Sequence, residues 1–136
     1  MEKIYSKIKP DVLLHIVNRR SDIGQVRVDI SPPEEYLQAS CFSMPKGKTF
    51  KAHKHIKNVR SFEMTQESWI VIEGEVKAIL YDLDDTVVKE VILKSGDCSM
   101  TFRGGHNYVA MTDNAKVYEY KTGPYLGRDI DKVYLN

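Results

Sequence analysis

Short runs of β-branched and aromatic residues, set apart by turn residues about every eight to twelve positions, constrain this chain more than any other feature. No segment sustains a helical period for as long as about ten residues. The pattern predicts an all-β sandwich or barrel. Gln25 to Ile30 alternates Val26, Val28 and Ile30 with polar residues, the period of a strand, and Ser31-Pro32-Pro33 breaks it. Tyr36 to Met44 predicts a second strand, closed by Pro45 and Gly47, and Thr49 to Ile56 a third. Ser68 to Ile72 and Glu75 to Tyr81 follow. Asp82-Leu83-Asp84-Asp85 then predicts a hairpin loop leading into Thr86 to Leu93. Ser95-Gly96-Asp97 turns the chain before Cys98 to Phe102, and Gly104-Gly105 turns it before His106 to Met111. Lys116 to Tyr120 completes the set. Val12 to Val17, within the mixed segment Met1 to Asp22, reads equally as strand or short helical turn, and its state stays open. The tail from Thr122 is expected to be irregular and packed outside.

A length of 136 residues suits one domain, 1–136, with a barrel over about 25–121 and a tail over 122–136. Twenty Lys plus Arg against nineteen Asp plus Glu leave a formal charge of +1, with no pull toward nucleic acid or an anionic membrane. Apolar runs such as Trp69 to Ile72 fall far short of the roughly 20 residues that span a bilayer. No apolar stretch with a small-residue cleavage site follows Met1, so a cytoplasmic location is expected. Cys41 and Cys98 stand far apart and in no metal-binding spacing, which favours two buried thiols over a disulfide. His15, distant from the other histidines, reads as an ordinary packed or surface residue.

His53 and His55 sit two apart on an expected strand, so both imidazoles leave the same face. That is an arrangement a metal can use and a hydrophobic core cannot. Glu67 opens the strand Ser68 to Ile72, and His106 follows a Gly-Gly turn at the start of another. Singly, each has a plain explanation, a solvated strand end or a turn histidine. Together, three imidazoles and one carboxylate suit a first-row divalent ion such as Fe, Mn, Ni, Co or Zn, with positions left for water or substrate.

The spacing of these residues resembles the cupin superfamily, and within it the RmlC-like branch. The first cupin motif runs from Gly through five residues to His-x-His, then to Glu and, after six residues, Gly. Gly47, His53-Lys54-His55, Glu67 and Gly74 follow it. Gly96-Asp97 through Phe102-Arg103-Gly104-Gly105 to His106 is similar to the second motif, without its proline and one residue short before the histidine. The resemblance covers about Gly47 to Tyr120. It implies a jelly-roll barrel with His53, His55, Glu67 and His106 inside one mouth. The stretch between His55 and Glu67 exceeds the usual length and implies an inserted loop, where Glu63 and Gln66 are rival ligands; the spacing to Gly74 favours Glu67. Gln66-Glu67-Ser68-Trp69, Gly104-Gly105-His106 and Tyr120-Lys121-Thr122-Gly123-Pro124-Tyr125 are further similar to small bacterial cupins encoded among capsule and lipopolysaccharide genes. That likeness implies a sugar or nucleotide-sugar setting.

Lys57, Arg60 and Arg103 could offer cations for a phosphate or carboxylate of a substrate, although for each one alone a solvated basic loop is the favoured reading. Glu119 and Lys121 alternate with Tyr118 and Tyr120, so one pair faces inward. If Glu119 and Lys121 do, they supply an acid and a base; otherwise they are a surface ion pair. Trp69 shares the face of Glu67 by alternation and stands either as core or as a stacking surface for a sugar ring. The functions open to such a chain are a metal-dependent sugar isomerase or epimerase, an iron-dependent dioxygenase, or a non-catalytic sugar- or metal-sensing module. A homodimer is expected, since edge strands of small barrels need covering.

Overall fold

The computed structural model describes residues 1–135. The clearest strand in the sequence shows how the fold is built. In β6 (Glu75–Tyr81), Val76, Ala78 and Leu80 are buried while the residues between them are half-buried, so one face of the strand meets a core. β5 (Glu67–Glu73) precedes it in a different sheet. The chain passes between sheets at Gly74, whose φ of +81° favours glycine, and a Cβ there would collide with the Thr112 side chain.

One sheet has five strands in the order β1 (Glu2–Tyr5), β2 (Leu13–Asn18), β8 (Cys98–Thr101), β5 and β10 (Lys116–Lys121). A second has three, in the order β7 (Val87–Lys94), β6 and β9 (His106–Ala110). Every pairing is antiparallel. The two sheets pack face to face through Ile4, Val17 and Val71 on one side and Val76, Ala78, Leu80, Val91 and Leu93 on the other. A second apolar cluster, Ile16, Ile30, Cys98, Met100 and Phe102, packs with Leu37, Ala39 and Cys41. Those last residues belong to or adjoin the short ribbon β3 (Val28–Asp29) and β4 (Ser40–Cys41). The all-β reading is correct.

The open segment Met1 to Asp22 resolves into strands β1 and β2 and a 3-10 turn at Arg20–Asp22. Its turn is tied to the sheet by Asp97, which accepts from the Arg20 and Lys94 amides and pairs with Arg19 at 2.7 Å. Burial alone would raise the Asp97 carboxyl; these amides and the guanidinium outweigh it and hold it below its usual range. The tail is mostly irregular, with one turn of helix, α1 (Arg128–Asp131). Cys98 is buried, Cys41 half-buried, and both are free thiols.

Three expected strands differ. Gln25 to Ile30 shrinks to Val28–Asp29, and Tyr36 to Met44 to Ser40–Cys41. Thr49 to Ile56 forms no strand at all, and residues 48–62 have no regular secondary structure. Phe50, Ala52 and Ile56 are the apolar residues of that stretch, and cations occupy 48, 51, 54, 57 and 60 in and around it. A strand there would bury too little apolar surface to offset its ordering.

Candidate functional site

Cross-strand register assembles the site. On the inner face of the larger sheet, Ile4, His15, Thr101, Glu67 and Lys121 stand in one row across all five strands. The next row holds Val17, Ser99, Trp69 and Glu119. From the smaller sheet, β9 presents His106 and Tyr108, which pair with Leu80 and Ala78 of β6. A polar layer therefore replaces the apolar core at this end of the sandwich.

Glu67 is its centre. Its Oε1 accepts from Trp69 Nε1 at 2.7 Å and lies 3.1 Å from His106 Nε2, so one carboxylate oxygen ties the two sheets together. Burial alone would push the Glu67 carboxyl up; the His106 contact, the Trp69 bond and the charge of Lys121 outweigh it and leave it below its ordinary value. An ionised Glu67 only accepts, so His106 carries its proton on Nε2 and Nδ1 is the bare nitrogen. Among the described residues that Nδ1 is buried and without a partner.

The Trp69 and Tyr108 rings stack, with centroids 4.1 Å apart and planes 12° from parallel. The Tyr108 hydroxyl meets Ser99 Oγ at 2.9 Å, and burial raises its phenol well above the usual range. At the rim, Lys121 Nζ lies 2.8 Å from Glu119 Oε1. That hydrogen bond is the main cause of a raised Lys121 ammonium, with Glu67 and Tyr125 adding to it. Glu119 and Lys121 thus share the inner face with Val117, Lys121 half-buried and Glu119 exposed at the rim, while Tyr118 and Tyr120 face outward and are exposed.

His15 is fully buried: its Nε2 donates to the Tyr81 carbonyl at 3.0 Å, which leaves Nδ1 to accept from Thr101 Oγ1 at 3.1 Å. Burial lowers its pKa to about 4. It is a packed residue, yet it belongs to the row of Glu67. Tyr108, Ser99 and Thr101 belong to no motif of the sequence. Their signal was weak but present, since Tyr108 stands two residues beyond His106 and shares its face.

The remaining candidates lie elsewhere. His53 and His55 are exposed in the irregular stretch 48–62, their rings 5.5 Å apart, with His53 Nδ1 3.0 Å from the Lys51 carbonyl. Arg60 is exposed in the same stretch, as is Lys57. Gln66, the rival ligand, instead donates to Glu35 and accepts from the Leu37 amide. Arg103 pairs with Glu35 at 2.7 Å and borders a groove of about 420 Å³ whose lining includes Lys3, Tyr5 and Asp11 but neither Glu67 nor His106.

The structure brings Glu67 and His106 together and leaves His53 and His55 outside. Among the described residues no group of three or more His, Cys, Asp or Glu stands close enough to hold an ion. His53, His55, Glu67 and His106 therefore do not converge on one point in this structure. Nothing among protein-family models, curated proteins or solved structures matches the chain.

Proposed function

We propose that this chain is a cupin-like jelly roll acting on a small sugar or nucleotide-sugar by proton transfer, as an isomerase or epimerase in surface polysaccharide biosynthesis. The observation that carries the reading is the register of β10, which turns Glu119 and Lys121 inward beside Trp69 and Glu67. An acid and a base beyond the His106–Glu67 pair are what proton chemistry requires and a purely apolar cavity lacks.

The roles follow from the contacts. Glu67 holds His106 in the tautomer whose Nδ1 carries a bare lone pair; that nitrogen is buried, and once uncovered it would take a proton from the carbon beside a sugar carbonyl. The Lys121 ammonium, held by Glu119, stands ready to stabilise the charge that develops on the carbonyl oxygen. Return of a proton to the opposite face of the same carbon epimerises the sugar; return to the former carbonyl carbon, as the adjacent hydroxyl gives up its proton to become the new carbonyl, isomerises it. Half-buried Trp69 offers its remaining surface to the sugar ring.

The test is proton NMR of candidate keto- and nucleotide-sugars incubated with the protein in D₂O. Deuterium entering beside the carbonyl, and lost in His106→Asn and Lys121→Met, is the expected result. Saturable binding without exchange would replace this reading with the non-catalytic binding module.

A metal-bound reading, which includes the dioxygenase, keeps one observation in its favour. β9 is an edge strand paired only with β6, and residues 48–62, which carry His53 and His55, have no strand partner. Pairing the two would add two imidazoles to the side of His106. Elemental analysis tests it: about one divalent ion per chain, lost in His53→Ala, supports it. The open edge of β10 and exposed Tyr118 and Tyr120 support the expected homodimer, which light scattering would check.

A further inference from the structure

The tail 122–135 touches the site at both of its ends. Thr122 and Gln66 exchange two hydrogen bonds of 3.0 Å and anchor its start. Three residues on, the Tyr125 ring lies under the Lys121 ammonium, 4.3 Å from its nitrogen. Near the far end, Leu135 packs against Gly105, the residue before His106, so closely that a Cβ there would lie 2.6 Å from Leu135 Cδ1. Between these contacts, Thr65 Oγ1 donates to Asp131 Oδ1 at 2.5 Å. Pro124, Leu126 and Ile130 enclose a cavity of about 180 Å³ with Phe62 and Met64.

The grip is light. Leu126, Ile130, Val133 and Tyr134 are exposed, α1 buries no residue, and its four residues are too few to hold a helix alone. Segments with few buried apolar contacts open first. We propose that residues 122–135 form a strap that closes over the Glu67–His106 site and opens to admit ligand, with Thr65–Asp131 as its latch and Tyr125 as its ligand-facing residue. This rests on the inter-sheet cluster being the functional site.

The chain's four histidines provide the test without a known substrate. Diethylpyrocarbonate modification is followed residue by residue by peptide mass spectrometry, in the full chain and in Asp131→Ala, a change at a half-buried residue of the tail. Exposed His53 and His55 react fast in every protein, and buried His15 reacts slowly. His106 is expected to react about fivefold faster in Asp131→Ala, the shift that losing one hydrogen bond allows. An unchanged His106 rate overturns the strap. A rise at His15 alongside His106 overturns it too, since the whole sandwich would then be loosening. Failure of deuterium exchange in the NMR assay would remove the proposed reaction and leave this result standing.

Discussion

His106 Nε2 and Glu67 Oε1 meet at 3.1 Å across the gap between the two sheets, and Trp69 Nε1 donates to the same oxygen. Removing the carboxylate orphans two buried-side donors at once. Glu67→Ala is expected to cost about 2–3 kcal/mol in urea unfolding, and Glu67→Gln less, because the amide oxygen still accepts. A double-mutant cycle of Glu67→Ala with His106→Ala should return a coupling of about 1 kcal/mol. Strict additivity would mean that the contact contributes nothing.

His15 makes stability depend on pH in a window of its own. Its folded pKa of about 4 lies below the unfolded value of 6.5, so the unfolded chain binds the extra proton between them. Stability is therefore full above 6.5 and falls as pH drops toward 4, by roughly 3 kcal/mol in all. Glu67, Asp97 and Asp22 are held below their ordinary values, and their stabilisation is lost only at lower pH, below the unfolded carboxylate range. His15→Gln should flatten the upper part of an unfolding series from pH 7 to 5 while leaving the acid limb. A curve that keeps its slope there would assign the dependence to another group.

Trp69 is the only tryptophan, so its fluorescence reports the site directly. Tyr108→Ala removes its stacked neighbour and should shift emission to the red and destabilise the fold by about 3 kcal/mol. Tyr108→Phe keeps the ring, loses the hydroxyl that meets Ser99, and should cost about 1 kcal/mol with emission unmoved.

Gly104 adopts φ +74°, and a Cβ on it would strike the Tyr81 carbonyl, the same oxygen that holds His15. Backbone cannot swing aside as a side chain can. Gly104→Ala is expected to cost about 2–3 kcal/mol, seen as a fall of roughly 5 to 10 °C in Tm. A Tm within a degree of the parent would show that this turn relaxes freely.

Strands β5 to β10 were legible because each is a short β-branched or aromatic run between turn-forming residues, and both of those signals are local. The stretch Thr49 to Ile56 shows where that logic stops. Its histidines alternate as a strand would, opposite Phe50, Ala52 and Ile56, but it is fully exposed and no sheet edge takes it up. In the same way Arg103 could be listed as a cation near a turn, while its partner Glu35, 68 residues away, was invisible until the chain folded.

By itself the sequence determined the all-β class, the strand alternation, and that Glu67 shares a face with Trp69 and His106 with Tyr108. Alternation names the two faces of a strand without saying which one is buried or what lies opposite it. The pairing of Lys121 with Glu67, the descent of His15 into the same row, and the contact of His106 with Glu67 were decided by tertiary structure alone. Each depends on strands far apart in the chain meeting in one register, and that register is set by which apolar faces pack together.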